Sequence, residues 1–180
     1  TSLSITAAVV NAQPYDHLDE LITTIDAEVL GLAAQLRGVR LGSMRIDKVS
    51  VTEARDYHIR LRDIYSEWDG MLEVLDTLFV DDGELREGFE VDSNWVDMLV
   101  FSELNLEPQF RTSGVVVKAV ETAIGFLGPK DVVLAAIAHG KRVGLCLTSK
   151  EWNALGFERI PGTNFAIRNK VKASLCAPAD

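Results

Sequence analysis

Between Trp95 and Gly128 the chain reads WVDMLVFSELNLEPQFRTSGVVVKAVETAIGFLG, and this stretch decides the fold. Its alternating apolar run, residues 95–106, predicts a central strand, and the amphipathic run Val115 to Leu127 predicts a helix. A polar turn that contains Arg111 and Gly114 joins the two. The first N–H groups of a helix have no partner inside it, and the helix dipole is positive there. Strand, turn and helix together therefore predict a cradle for an anion.

Apolar periodicity predicts the other elements. Steps of four and three favour a helix from Tyr15 to Ile25, whereas residues 26–36 fit either a helix or a strand. The remaining predictions are strands at 3–10, 44–51 and 131–137, one or two helices within 53–79 capped by Thr52, a helix at 150–155 and a hairpin at 157–168. The apolar run 131–137 follows the central helix, so it implies a parallel strand–helix–strand crossover.

These elements predict an α+β fold with a mixed, mostly antiparallel central sheet and helices on both sides. A length of 180 residues suits one domain with a substantial core. We assign that domain to residues 1–170 and expect residues 171–180 to form a loose C-terminal tail.

Composition narrows the classes of partner and location. The net charge of −9 disfavours non-specific binding to nucleic acid. No run approaches the ~20 apolar residues of a membrane span. Cys146 and Cys176 are too few for a disulfide framework, so two free thiols in the cytoplasm are expected. The acidic turn at 80–84 lacks the full ligand pattern of a calcium loop, so no metal site is predicted. The sequence leaves open whether the chain is a monomer or a homodimer.

Two segments carry a resemblance to a known family. The run Arg111 to Val116, RTSGVV, resembles motif A of the GNAT superfamily of acetyl-CoA-dependent N-acyltransferases, Gln/Arg-x-x-Gly-x-Gly/Ala. The run Trp152 to Ile160, WNALGFERI, resembles a second segment of that family, Y-x-x-L-G-F. Val116 replaces the usual small residue of the first motif, and Trp152 replaces the usual Tyr of the second.

The resemblance implies a GNAT-like fold, acetyl-CoA as co-substrate and an amine as acceptor. It implies that a bulged strand splays from its neighbour and binds pantetheine through the backbone of Leu104 and Leu106. The alternative for this strand is an uninterrupted ladder with buried leucines. It also implies that main-chain N–H groups bind the pyrophosphate and that Trp152 lies where relatives hold an acidic Tyr hydroxyl. Those N–H groups belong to Phe110, Arg111, Thr112, Ser113, Gly114, Val115 and Val116. The alternative for this turn is an ordinary helix cap by Ser113.

Acid–base chemistry requires a group that takes a proton from the amine. Glu103 and Asp97 lie on the central strand at even separation, so they are predicted to share a face, and burial there would make either a better base. The alternative is that both point into solvent or form ion pairs, for instance with Arg111 or Lys118. His139 could supply a proton to the leaving thiolate.

Three classes of function follow from these patterns. The first is an N-acetyltransferase, with Glu103 ahead of Asp97 as the base. The second is a non-catalytic domain that binds acyl-CoA or another protein, and Trp152 and Val116 favour it. The third is a structural module that binds no coenzyme.

Overall fold

A computed structural model describes residues 3–9, 21–31, 37–64, 71–80, 84–85, 97–127, 132–137 and 144–168. The strands are β1 Leu3–Val9, β2 Ile22–Gly31, β3 Arg40–Val49, β4 Phe79–Val80, β5 Glu84–Leu85, β6 Met98–Leu106, β7 Val132–Ala136, β8 Phe157–Arg159 and β9 Phe165–Arg168. The helices are α1 Val51–Asp56, α2 Leu61–Ile64, α3 Met71–Leu78, α4 Ser113–Leu127 and α5 Ser149–Ala154.

Seven of these strands form one sheet in the order β1-β2-β3-β6-β7-β9-β8. Every neighbouring pair is antiparallel except β6 and β7, which are parallel and are connected through α4. Strands β4 and β5 pair separately. The predicted α+β class, the mostly antiparallel sheet, the parallel β6–β7 pair and the hairpin β8–β9 are confirmed.

Apolar side chains cover both faces of this sheet because successive strand residues point to opposite sides. Leu99 and Phe101 pack with α4 residues such as Val120 on one face, and we call this cluster the α4-side core. Met98 and Val100 pack with residues from the helices between β3 and β6 on the other face, the α3-side core. Helices therefore flank the sheet on both sides. None of the described helices is long and apolar enough to cross a membrane.

The predicted helix from Tyr15 to Ile25 is wrong over Ile22–Ile25, which belongs to β2. Ile25, Ala27 and Val29 are all buried, so an alternating pattern overlaps the helical one. Pairing of β2 with both β1 and β3 satisfies its backbone groups as a strand. The undecided stretch 26–36 is a strand as far as Gly31, and residues 10–20 and 32–36 lie outside the described ranges.

The predicted cap of the first helix is displaced by two residues. Helix α1 begins at Val51, so Ser50 occupies the N-cap position and makes no side-chain capping bond. Thr52 is instead a buried residue of the first turn. The Ser50 N–H donates to the Leu21 carbonyl at 2.9 Å, and this bond fixes where β3 ends and the helix can begin.

Candidate functional site

Strand β6 contains a bulge in its pairing with β3. Arg45 pairs with Glu103 and the next residue, Ile46, pairs with Phe101, so Ser102 has no partner across the ladder. The Ser102 hydroxyl donates to the Arg45 carbonyl at 3.2 Å. One extra residue on a strand bends it and reverses the alternation of side chains beyond it.

The bulge separates the two predicted carboxylates. Leu99 before Ser102 and Leu104 after it both contact the α4-side core, although they differ by an odd number of positions. Asp97 therefore shares the α4 face with Leu99, whereas Glu103 lies on the opposite face. The prediction that the two share a face is wrong, because it assumed unbroken alternation along β6.

Beyond the bulge, β6 extends past its parallel neighbour. The pairing with β7 ends at Phe101 and Ala135, yet β6 continues to Leu106. Residues 103–106 therefore pair with β3 on one side, and on the other side none of them pairs with a described residue of β7. We call the region beyond Phe101 and Ala135, where the described β6–β7 pairing ends, the splay.

Backbone direction identifies which residues face the splay. The Glu107 N–H donates to the Leu41 carbonyl at 2.9 Å, so the backbone of Glu107 points toward β3. Backbone groups alternate in direction along a strand. Those of Leu104 and Leu106 therefore point away from β3, toward the splay.

The segment before α5 lies within the splay, on its β7 side. The Leu145 N–H donates to the Ala136 carbonyl at 2.7 Å, and Ile137 forms a parallel bridge with Leu145. The Ile137 N–H donates to the Asn164 carbonyl on the β9 side, so by alternation the Ala136 carbonyl points to the β6 side. Leu145 thus lies along β7 where the β6 pairing has ended.

The N-terminus of α4 lies at the end of β6 that splays. Thr112 is its cap: its carbonyl accepts from the Val116 N–H at 3.0 Å and its hydroxyl from the Val115 N–H at 3.4 Å. Ser113, the cap considered from sequence, is instead the first helical residue. Within the described ranges, the Ser113 and Gly114 N–H groups have no acceptor.

The turn before α4 uses its own N–H groups. Phe110, Arg111 and Thr112 donate to the carbonyls of Glu107, Pro108 and Phe110 at 2.9, 3.3 and 2.8 Å. Of the seven predicted pyrophosphate donors, only Ser113 and Gly114 therefore have N–H groups without an acceptor among the described residues. A Cβ added at Gly114 would meet no atom within 4 Å, so the helix end is open. Val116 is fully buried, so its bulk lies inside the protein.

The Arg111 side chain is held by two groups of the α5 segment. Its guanidinium donates to both carboxylate oxygens of Glu151 at 2.9 and 3.2 Å and to the Cys146 carbonyl at 2.7 Å. The Glu151 side chain is 2% exposed, whereas that of Arg111 is 32% exposed. The bonds from Arg111 hold the pKa of the Glu151 carboxyl at about 2.

Glu151 also caps α5, a role that sequence reasoning missed. Its carboxylate accepts from the Thr148 N–H at 2.8 Å, and the Thr148 hydroxyl accepts from the Glu151 N–H at 3.3 Å. This reciprocal arrangement is a capping box. The spacing Thr148-x-x-Glu151 in the sequence was a signal for it. Glu151 therefore couples the start of α5 to the turn before α4.

Half-buried apolar side chains surround this region. Trp152 on α5 meets Phe157 edge to face, with ring centroids 5.5 Å apart. Trp152 also contacts the α4-side core, as do other half-buried residues from β6, the turn, α4 and the segment before α5: Leu104, Leu106, Phe110, Val115 and Leu147.

Glu103 and Asp97 take part in separate ion pairs. Glu103 lies 3.6 Å from the Arg45 guanidinium and accepts from the Asn105 amide at 3.3 Å. Asp97 lies 3.9 Å from the Lys48 ammonium at the other end of β6. Both carboxylates therefore form ion pairs, as the alternative interpretation of the sequence predicted. Their partners, Arg45 and Lys48, differ from the Arg111 and Lys118 that the sequence suggested. Of the two carboxylates, Glu103 is the one that adjoins the splay.

Of the three remaining residues considered from the sequence, the structure describes one. Cys146 is exposed, while His139 and the tail with Cys176 lie outside the described residues. In the part of the chain that the structure describes, no three His, Cys, Asp or Glu side chains converge as metal ligands.

Compared with family models, curated proteins and solved structures, the chain matches none.

Proposed function

We propose that the protein is an N-acetyltransferase with a GNAT-like fold that transfers an acetyl group from acetyl-CoA to an amine. The observation that carries the proposal is that two features occur together. A bulged strand separates from its parallel neighbour, and a helix begins at the same end of that strand. The first feature offers backbone groups that have no partner among the described residues and suit amides, and the second offers N–H donors for phosphate. Pantetheine and pyrophosphate require these two kinds of group.

The residues present fit the coenzyme in two places. The backbone of Leu104 and Leu106 points toward the splay, where it can bond the pantetheine amides. The N–H groups of Ser113 and Gly114, with open space over Gly114, suit the pyrophosphate. Arg111 acts in this proposal through Glu151, by fixing the turn, since its guanidinium already has three bonds.

The transfer itself is direct. The amine nitrogen bonds to the thioester carbonyl carbon, the carbon–sulfur bond breaks, and the ammonium form of the amine loses two protons overall. One proton goes to a base and the other to the leaving thiolate. Glu103 is the base in this proposal because it follows the bulge, while Asp97 lies at the far end of β6.

The second candidate is an acyl-CoA-binding domain without turnover. Trp152 favours it, because an indole N–H donates a hydrogen bond but is not a practical acid for the thiolate. The two candidates share the coenzyme site and differ in acetylated amine formed per unit time.

Calorimetric titration with CoA tests the shared site, and the chain offers a matched pair of variants. Gly114→Ala and Gly125→Ala make the same change at the two ends of α4, and in both a Cβ meets no protein atom within 4 Å. We expect Gly114→Ala to weaken CoA binding about tenfold, or ~1.4 kcal/mol. Gly125→Ala should bind as the parent does.

Equal affinity of all three proteins would remove the α4 N-terminus from the coenzyme site. Absence of CoA binding by the parent would overturn both candidates. If CoA binds at Gly114, mass spectrometry of an amine library incubated with acetyl-CoA separates the transferase from the binding domain.

A further inference from the structure

The two outer strands of the seven-stranded sheet differ in how their edges are protected against pairing. Strand β8 is three residues long and carries Glu158 and Arg159. Strand β1 is seven residues long, reads LSITAAV and contains no charged residue and no Pro. Its pairing with β2 runs from Leu3 to Val9 without a register shift, and no described strand pairs with its outer edge. Charges, Pro, bulges and short length are the usual protection of an edge strand, and β1 has none of them.

Hydrogen bonds at the two ends of β2 show in which direction its backbone groups point. The Gly31 N–H donates to the Val39 carbonyl at 2.9 Å, on the side of β3. The Leu21 carbonyl accepts from the Ser50 N–H at 2.9 Å, also on the side of β3. Because backbone groups alternate along a strand, the odd-numbered residues of β2 point toward β3 and the even-numbered residues toward β1.

The register of β1 carries this alternation to the outer edge of the sheet. Even-numbered residues of β1 lie opposite even-numbered residues of β2, for instance Thr6 opposite Glu28. They therefore exchange hydrogen bonds with β2, and the odd-numbered residues of β1 direct their N–H and carbonyl groups outward. The outward set is Leu3, Ile5, Ala7 and Val9. These residues form an unbroken row of donors and acceptors that one further strand can pair with.

A second copy of β1 fits this row in antiparallel orientation. About a two-fold axis at Thr6, every outward residue lies opposite an outward residue of the second copy, so each such pair exchanges two hydrogen bonds. In this register Leu3 lies opposite Val9, Ile5 opposite Ala7, Ser4 opposite Ala8, and Thr6 opposite Thr6. Apolar residues therefore meet apolar residues, small residues meet small ones, and no like charges come together.

The carboxylates of β2, the strand next to this edge, are paired within one copy. Glu28 lies 3.2 Å from the Arg40 guanidinium, and Asp26 accepts from Arg45 at 2.8 and 3.3 Å. Two copies of a chain with a net charge of −9 repel each other at long range. These ion pairs reduce the part of that repulsion that acts across the β1 edge.

We propose that the protein forms a homodimer in which the two β1 strands pair antiparallel and join the two sheets into one continuous sheet. A second copy suits the edge better than an unrelated extended peptide, because β1 matches its own sequence along its whole length. Neither CoA binding nor acetyl transfer is required for this dimer.

Analytical ultracentrifugation of the whole chain measures the association. We expect a dimer, twice the 19.8 kDa of one chain, to form as the concentration rises to about 100 μM. Ala7→Pro removes an outward N–H, which an edge strand tolerates, so this variant should fold and remain a monomer. The control Arg159→Pro makes the same change at the β8 edge and should dimerise as the parent does. The Ile160 N–H donates to the Phe165 carbonyl of β9 at 3.0 Å, so by alternation the Arg159 N–H points away from β9.

Disulfide cross-linking measures the register without a Pro substitution. In a background with Cys146 and Cys176 replaced by Ser, Thr6→Cys should cross-link to its symmetry mate. Opposite residues that are not hydrogen-bonded have Cα atoms about 4.5 Å apart, which a disulfide can span. The control Ala8→Cys should not cross-link, because the pairing places it about 14 Å from its own mate.

A parent that stays monomeric at about 100 μM would leave the edge to a segment of another protein and overturn the proposal. Dimerisation of Ala7→Pro, or loss of the dimer in Arg159→Pro, would overturn it too. A dimer in which Thr6→Cys does not cross-link, or in which Ala8→Cys cross-links equally, would place the interface elsewhere. If circular dichroism shows that Ala7→Pro does not fold, the two Cys variants decide.

Discussion

The ion pair between Arg111 and Glu151 makes a quantitative prediction for Glu151→Gln. The Glu151 carboxyl pKa falls from its ordinary value of 4.5 to about 2 in the folded protein. Each pKa unit is worth about 1.4 kcal/mol, so the charged state stabilises the fold by about 3 kcal/mol at neutral pH. Arg111 is 32% exposed, and water screens its charge, so we expect a loss of about 2 kcal/mol.

The pH dependence of this stabilisation follows from the direction of the Glu151 pKa shift. A carboxyl whose pKa is lowered on folding contributes stability above the unfolded pKa and loses it as the pH falls through the folded pKa. The contribution of Glu151 should therefore be complete above a pH of about 4.5 and decline toward about 2. Gln at this position can still accept from the Thr148 N–H, so the cap is retained and the charge is lost.

Urea denaturation at neutral pH and in acid measures both effects. The parent should exceed Glu151→Gln by about 2 kcal/mol at neutral pH, and the difference should shrink toward zero in acid. The control Asp63→Asn breaks an exposed pair with Arg60 at 2.9 Å and should change stability by less than about 0.5 kcal/mol. A loss for Glu151→Gln no larger than that of the control, or one independent of pH, would refute the reasoning.

Three further predictions concern β6 and α5. If the protein is a transferase, Glu103→Gln should lower the rate at saturating acceptor about tenfold, or ~1.4 kcal/mol, without changing CoA affinity; an unchanged rate removes Glu103 from the mechanism. Trp152→Tyr should keep the thermal midpoint near that of the parent and raise turnover if a hydroxyl acid is what is missing; brisk parent turnover with no gain would show that another group protonates the thiolate. Gly42→Ala should destabilise the fold by about 2 kcal/mol in urea, because the new Cβ would lie 2.1 Å from the Asn105 carbonyl oxygen; stability equal to that of the parent would mean that β3 and β6 separate easily.

Local pattern alone predicted much of the fold around the candidate site. The strand at 98–106, the helix starting near Ser113 and the buried run at 132–136 are properties of short segments, so they can be predicted without the rest of the chain. The glycine at 162 with φ of 78° likewise marks the β8–β9 turn. The same kind of reasoning failed at β2, where Ile22, Ile25 and Val29 fit a helix and Ile25, Ala27 and Val29 fit a strand. Pairing with two neighbouring strands decided between them.

The sequence by itself determined the order strand, turn, helix and parallel strand, because each depends on residues close together in the chain. Tertiary structure decided which carboxylate the Arg111 side chain of the turn binds. Arg111 and Glu151 are 40 positions apart, and only the packing of α5 beside α4 brings them within 2.9 Å. Tertiary structure also decided which face of the sheet each carboxylate occupies. The bulge at Ser102 is set by the register between β3 and β6, and it places Glu103 on the sheet face opposite α4 while Asp97 stays on the α4 side.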